Sequence, residues 1–362
     1  MKKRVFLALT SAVLVFSMLA GCSKTPASSG GSGDGAEKTK IVLLLNGYLG
    51  DLAWYDCSAA GMKAIEEKYP DEVEVRTIEM TTDKSKYDAI INDTLSEDWD
   101  VIVAGSWSMM EYIEKAATDH PDKQFWFFDE PIEGIDNVYS MSYSANEGSF
   151  LAGMAAAYAS DSGVIGFIGG DDSTTVNDSM VGYLEGAKYV NPDIKAIISY
   201  TGNWDDSAKG KELALVQYNA GADVVFHLAS NAGMGVFEAA KDAGKLAIGS
   251  DTDQSLIFQT SDPGKAATIL TSSLKRVDIS LVDAYEQYKA GTVAYGTCAK
   301  LGLNRDCVGI VENDNLKASL SQEEIDNINT VKAGIIDGSI KVSSAYGMSN
   351  EDMTAFKAEF AK

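Results

Sequence analysis

The stretch KIVLLLNGYLGDLAWYDCSAAGMKAIEEKYP, residues 40–70, sets the pattern for most of the chain. It opens with an unbroken apolar run at 41–45, passes through a loop bearing Gly and Asp, continues at helical spacing over 52–69 and stops at Pro70. An apolar run without alternation, followed by an amphipathic helix, is the mark of a strand buried on both faces and its crossover. Moving outward, the unit repeats as strand 73–78, helix 84–95, strand 101–104, helix 108–117, strand 125–128 and an extended run at 138–143. Near Asn146 the alternation restarts: helix 147–159, strand 164–168, helix 176–190, strand 196–199, helix 207–219, strand 224–228, helix 234–243 and strand 246–248.

Two successive βαβαβ blocks of similar size predict an α/β protein with two similar lobes. Each lobe is a parallel sheet flanked by helices, because parallel strands require right-handed crossovers. Beyond Pro263 a long helical stretch over 265–289 is expected to pack back on the first lobe, and the C-terminal run with a helix at 322–336 to complete the second. The pattern therefore assigns 40–143 plus about 262–291 to an N-terminal lobe, and 144–261 plus about 292–362 to a C-terminal lobe. Crossings near residues 143, 260 and 291 would form a hinge, and no Pro/Gly-rich linker near 145 argues for independent domains in tandem.

Ligands of open parallel sheets bind beyond the carboxyl ends of the strands. The loops there read NGYLGDLAWYD (46–56), GSWS (105–108), GGDDSTT (169–175), TGNWDD (201–206) and GSDTDQ (249–254). They hold three of the five tryptophans and a set of carboxylates. Trp54 and Trp204, one from each block, can face opposite sides of a flat ligand, each stacked face contributing about 1–3 kcal/mol. Acidic side chains at the same rim accept hydrogen bonds from a sugar diol. An aromatic sandwich with carboxylates is a nucleoside-like arrangement. Several of these residues have a plainer reading: Asp51, Ser173 and Ser207 are good helix caps, Asp171, Asp172 and Asp205 suit helix N-termini, and Trp107 reads as packing. Asp251, after an apolar strand among Gly, Ser, Thr and Gln, is harder to explain as a turn residue alone.

The N-terminus has a different character. Lys2, Lys3 and Arg4 precede about 15 apolar residues, the layout of a secretory signal and too short for a lasting membrane span. The segment ends LAGC at 19–22, which resembles the bacterial lipobox, so residues 1–21 are expected to be a lipoprotein signal peptide and Cys22 the acylated new N-terminus. The stretch 22–39, rich in Ser, Gly, Thr, Lys and Pro, then reads as a flexible tether. This places a lipid-anchored domain on the extracytoplasmic face of the cell membrane.

Removal of residues 1–21 leaves 27 Lys and Arg against 53 Asp and Glu, a charge near −26. Such a surface repels nucleic acid and anionic headgroups, so the partner is a small molecule or a protein. Cys57 reads as a small buried hydrophobe, and the oxidising exterior leaves a Cys298–Cys307 bridge open. His120 and His227 fall on different elements with no ligand spacing around them, and GxSxG, P-loop and HExxH are absent. No metal or cofactor is expected.

Nine stretches in order carry a family resemblance: GDLAWYD (50–56), NEGSFLAG (146–153), GVIGFIGG (163–170), GYLEGAK (182–188), YTGNWDDSAKGK (200–211), GADVVF (221–226), GVFEAA (235–240), DTDQ (251–254) and LKRVD (274–278). The chain resembles the basic membrane protein family, lipoproteins of type I periplasmic-binding-protein-like fold that serve ABC importers of purine nucleosides. The resemblance implies that Trp54 and Trp204 stand where the family carries phenylalanines clamping the base. It also implies that Asp251 and Lys275 hold the ribose hydroxyls, and that Asp51 and Asp56 lie in the loop contacting the ligand. The implied partners are a purine nucleoside (adenosine, guanosine or inosine) and the ABC permease with its ATPase subunits. Tyr55 replaces the usual Asn after the first aromatic, and the stretch 230–233 is more polar than the family's Gly-rich loop.

Three classes of function compete on these residues. A nucleoside-binding lipoprotein that closes over its ligand fits best. A monosaccharide or signal-molecule receptor of the same shape would use arginine forks, yet Arg76, Arg276 and Arg305, the arginines beyond Arg4, lie outside the loops. A nucleoside hydrolase using the Asp cluster lacks a matched base and nucleophile.

Overall fold

The computed structural model describes residues Glu37–Ala361. The expected signal peptide, Cys22 and the tether as far as residue 36 lie outside the described residues. The first strand, β1 (Thr39–Leu45), starts on the last residue of that tether. Next come α1 (Trp54–Lys68), β2 (Val73–Glu79), α2 (Tyr87–Leu95), β3 (Val101–Gly105), α3 (Met110–Asp119), β4 (Gln124–Phe128) and β5 (Val138–Tyr143). The second block runs α4 (Ala145–Ala159), β6 (Val164–Gly169), α5 (Thr174–Val190), β7 (Lys195–Tyr200), α6 (Ser207–Asn219), β8 (Val224–Leu228), α7 (Ser230–Ala243), β9 (Leu246–Asp251), α8 (Gln254–Phe258), α9 (Pro263–Ala266) and β10 (Ile269–Lys275). The chain ends with α10 (Val277–Ala290), β11 (Cys298–Leu301), β12 (Val308–Ile310), α11 (Asp314–Ser319), α12 (Gln322–Ile336) and α13 (Asn350–Glu359).

These strands form two six-stranded sheets, ordered β11-β5-β4-β3-β1-β2 and β12-β10-β9-β8-β6-β7. Pairing is parallel throughout the first, for example Ile41 beside both Val75 and Val101. In the second only the edge strand β12 runs antiparallel, against β10. Residues 41–45 are all buried, as an apolar strand covered on both faces must be. In the second lobe α4 and α5 approach to backbone contact: a Cβ on Gly153 would lie 1.9 Å from the Tyr183 carbonyl oxygen, and one on Gly182 would lie 2.1 Å from that of Asn146.

The stretch 265–289, expected as one helix, is divided. Strand β10 occupies its middle and belongs to the second sheet, and only α10 returns to the first lobe, where Gly61 of α1 meets the Asp278 backbone. The sequence ILTSSLK reads poorly as a buried strand because three hydroxyl residues interrupt it. The fold satisfies them internally: Thr271 Oγ1 donates to the Val311 carbonyl, Ser272 Oγ accepts from Gln254 N, and Ser273 pairs with Ser149. The chain therefore crosses between lobes after β5, between β10 and α10 and between β11 and β12, rather than near residues 260 and 291. The third crossing is braced by Glu147, which accepts from Leu303 N at 2.9 Å. Cys298 and Cys307 are free thiols with separate partners, Ser142 Oγ and the Arg305 carbonyl. No described helix is long and apolar enough to cross a membrane.

Candidate ligand-binding cleft

A cavity of about 270 Å³ opens where the carboxyl ends of both sheets meet. Trp54, Tyr55 and Asp129 line it from the first lobe, and Trp204, Asp251 and Lys275 from the second. Trp54, Trp204 and Asp251, to which loop position and resemblance both point, thus share one chamber with Lys275, to which the resemblance alone points. No described arginine lines it, and no described group of His, Cys, Asp and Glu is arranged to hold a metal ion.

Its floor is charged. Lys275 Nζ, at the end of β10, donates to Asp129 Oδ1, just beyond the end of β4, at 2.7 Å. Burial works against the lysine's charge, but Asp129, Asp251 and Glu130 outweigh it and hold the ammonium above its ordinary value. Burial pushes the Asp251 carboxyl up to about 6, against the opposing pull of Lys275, with Asp51 and Asp129 adding to the rise. The floor thus sets the Asp129 and Asp251 side chains around the Lys275 ammonium, a set that can both accept from and donate to hydroxyl groups.

The aromatic walls are held by their own lobes. Trp54 meets Tyr55 edge-on with centroids 5.1 Å apart and leans on Phe128 at 5.2 Å. Trp204 lies over Gly170, where a Cβ would come within 2.7 Å of the indole, and its carbonyl accepts from Ala232 N. Trp107, read from sequence as packing, instead stands 46% exposed at the cavity with the Lys84 ammonium 4.6 Å from its ring centroid.

Asp51 and Asp56 do not line the cavity. Asp51, fully buried, accepts from the backbone N–H groups of Ala53, Tyr55 and Asp56 at the start of α1, and Asp56 accepts from Gly50 and Leu52. Together they fix the loop that presents Trp54. Asp51 also accepts from Ser230 Oγ of the opposite lobe at 3.0 Å, and burial raises its carboxyl above the usual range despite these donors. Of the other expected caps, Ser173 makes no side-chain cap bond, and α6 is capped by Asp206, accepting from Lys209 N, instead of Ser207.

Further contacts join the lobes around the cavity. The Leu52 carbonyl accepts from Thr252 Oγ1 at 3.1 Å and Gln254 Nε2 at 3.4 Å. Glu130, buried and raised in pKa chiefly by that burial, accepts from Thr175 Oγ1 and from the Tyr346 hydroxyl. The cleft is closed.

Backbone strain gathers at the same place. Among the described residues, seven other than glycine have positive φ, and Ser106, Asp129, Ser230 and Asp251 of these line the cavity. Left-handed backbone costs free energy and persists where surrounding structure enforces it, typically at ligand sites. Sequence reasoning does not single out Asp129 or Ser230. Asp129 succeeds the apolar strand 125–128 just as Asp251 closes β9, so the same signal identifies it; Ser230 carries no signal beyond the polarity of its loop.

Comparison with known proteins agrees with this architecture. Residues 38–345 match the family model for Bmp, the ABC transporter substrate-binding protein PnrA-like family. An ABC transporter nucleoside-binding protein, BmpA, of Lactococcus lactis is 31% identical over 356 residues, covering 95% of this chain and all of its own length. Basic membrane protein D of Borreliella burgdorferi is 29% identical over 338 residues, covering 91% and 93%. Among solved structures, a solute-binding protein of an ABC transporter system from Aeropyrum pernix superposes with a TM-score of 0.74 at 25% identity, covering 90% of this chain and all of that one. The chain belongs to the Bmp family of PnrA-like ABC transporter substrate-binding proteins, and is a binding component rather than an enzyme.

Proposed function

We propose that this protein is a lipid-anchored, extracytoplasmic binding protein that delivers purine nucleosides to an ABC importer. The observation that carries the reading is the convergence of Trp54 and Trp204 from opposite lobes on a cavity whose floor holds Asp251, Lys275 and Asp129. In this reading the indoles stack on the base. Asp251 accepts from the ribose diol, and Lys275, anchored by Asp129, donates to its oxygens. Asp51 and Asp56 act one step back, by fixing the Trp54 loop and, for Asp51, the seam to Ser230. The name of the Lactococcus relative, a nucleoside-binding protein, supports the ligand class. The LAGC sequence at 19–22 supports attachment through Cys22, and the family supports a permease with ATPase subunits as the partner. Binding would close the lobes, with stacking and diol contacts offsetting the cost of closure.

The test is intrinsic tryptophan fluorescence titrated with adenosine, guanosine, inosine, uridine, ribose and galactose. The expected result is a saturable change with the purine nucleosides only. Response to galactose or ribose alone would assign the cleft to a sugar, and release of free base over hours would assign it to catalysis.

A further inference from the structure

We infer that Gln254 is a positioning residue that ties the backbone next to Asp251 to the closed seam between the lobes, held in its working orientation by His227. The inference rests on the nucleoside-binding reading above. Gln254 is fully buried, does not line the cavity, and sits at the start of α8 with its backbone N–H on Ser272 Oγ. Its side-chain oxygen accepts at 2.8 Å from the N–H of Ser250, the residue before Asp251, whose φ is +66°. Its side-chain nitrogen donates across the seam to the Leu52 carbonyl, whose own backbone is left-handed.

One amide thus touches both the residue next to Asp251, whose carboxylate faces the cavity, and the loop that presents Trp54. Such a bridge works only if the amide does not flip. His227, wholly buried on β8, faces Oε1 of Gln254 through Nε2 at 3.0 Å. Since Oε1 is acceptor only, the imidazole must carry its proton on Nε2. Burial drives the ring's pKa down to about 4, so at neutral pH it stays neutral. A flipped amide would set NH₂ against both the imidazole N–H and Ser250 N–H. The surroundings make room for the relay: a Cβ on Gly249 would lie 2.6 Å from Gln254 Oε1, and one on Gly233 would lie 2.0 Å from His227 Nδ1. That Nδ1 has no partner among the described residues, a cost the fold accepts while keeping a histidine where an apolar residue would serve packing alone.

The experiment compares the full chain with Gln254→Met, His227→Leu and the double variant by stopped-flow fluorescence with guanosine and adenosine, and by hydrogen exchange of the ligand-free proteins. Gln254→Met should raise the dissociation rate about tenfold with association changed less than twofold, because the contact stabilises the closed seam rather than the encounter with ligand. His227→Leu should raise it less. The double variant should match Gln254→Met rather than multiply the two effects, since His227 acts through Gln254. Amides of the 52–56 loop should exchange faster in Gln254→Met without ligand. Parent-like dissociation and exchange in Gln254→Met, or multiplicative effects, overturn the assignment. If Gln254→Met does not fold, His227→Leu with parent-like dissociation and exchange does the same. A parent that binds no nucleoside sinks the functional reading instead, and the exchange comparison still decides whether Gln254 holds the seam.

Discussion

Lys275 and Asp129 meet at 2.7 Å across the two lobes, each at the carboxyl end of an inner strand and each almost removed from solvent. Removing one partner of a buried pair leaves the other charge uncompensated, at a cost of about 3–5 kcal/mol. Lys275→Met leaves two carboxylates, Asp129 and Asp251, without their cation. We expect nucleoside affinity to fall at least about a hundredfold, corresponding to about 2.7 kcal/mol, and the melting temperature to drop with it. Adding Asp129→Asn should recover part of the melting temperature and none of the affinity. Calorimetric titration and thermal melts check both; parent-like affinity in Lys275→Met would remove the lysine from the site.

Asp251 gives opposite pH signatures in stability and in binding. Its carboxyl is raised to about 6 in the fold, chiefly by burial, from an ordinary 3.8. Between those values the folded state holds a proton that the unfolded state has lost, so the carboxyl's penalty is full above pH 6 and is relieved as pH falls through 6 toward 4. The difference is worth about 3 kcal/mol at pH 7. Asn tolerates the left-handed backbone at this position. Asp251→Asn should therefore melt higher than the parent at pH 7.5, with the gain shrinking below pH 6. Nucleoside affinity should move the other way: the parent weakens as pH drops from 7 to 5, while the variant is weak and flat. Melting curves and titrations across that range read both, and a parent affinity independent of pH would take Asp251 off the ligand.

The two tryptophans should differ in what a smaller ring does. Trp204→Ala removes one stacked face and should cost about 1–3 kcal/mol of nucleoside affinity. Trp54→Phe keeps a face against Phe128 and Tyr55, so the loss should stay within about tenfold. Equilibrium titration monitored calorimetrically separates them. Trp204→Ala binding as tightly as the parent would leave that ring a wall of the lobe only.

Much of this site is legible from residues 40–70 and 246–254, because a strand buried on both faces announces itself by an unbroken apolar run, and the loop leaving its carboxyl end lies at the ligand edge. The features that escape have a common cause. Strand β10 carries Thr271, Ser272 and Ser273, whose hydroxyls find partners only after α8 and β12 are in place, so local sequence reads as helix continuing from 265. Asp51 fits the loop pattern of a ligand residue and the capping pattern of a helix start equally well, and only the four donors around it show that its lone pairs are committed. Trp107 looks like packing until the neighbouring strands place it at an opening. The glycines in NEGSFLAG and GYLEGAK are visible in sequence, but that Gly153 and Gly182 let α4 and α5 touch through their backbones is a tertiary fact.

Ser230 supplies the remaining test, since its hydroxyl crosses from α7 to Asp51 at 3.0 Å while its own φ is +46°. Substitution by alanine would mix the lost contact with backbone strain. Ser230→Gly removes the hydroxyl and relaxes the left-handed backbone at once, so a weakening it causes does not come from backbone strain. A hydrogen bond to a charged group contributes about 1.5–3 kcal/mol, and this one exists only while the lobes are together. The ligand-free protein should melt near the parent temperature, and the nucleoside complex should dissociate about tenfold faster or more. Stopped-flow displacement measures the rate directly. A Ser230→Gly protein that releases nucleoside at the parent rate would mean that the Asp51 contact contributes nothing to closure, and that the seam is held by Leu52, Glu130 and Lys275 alone.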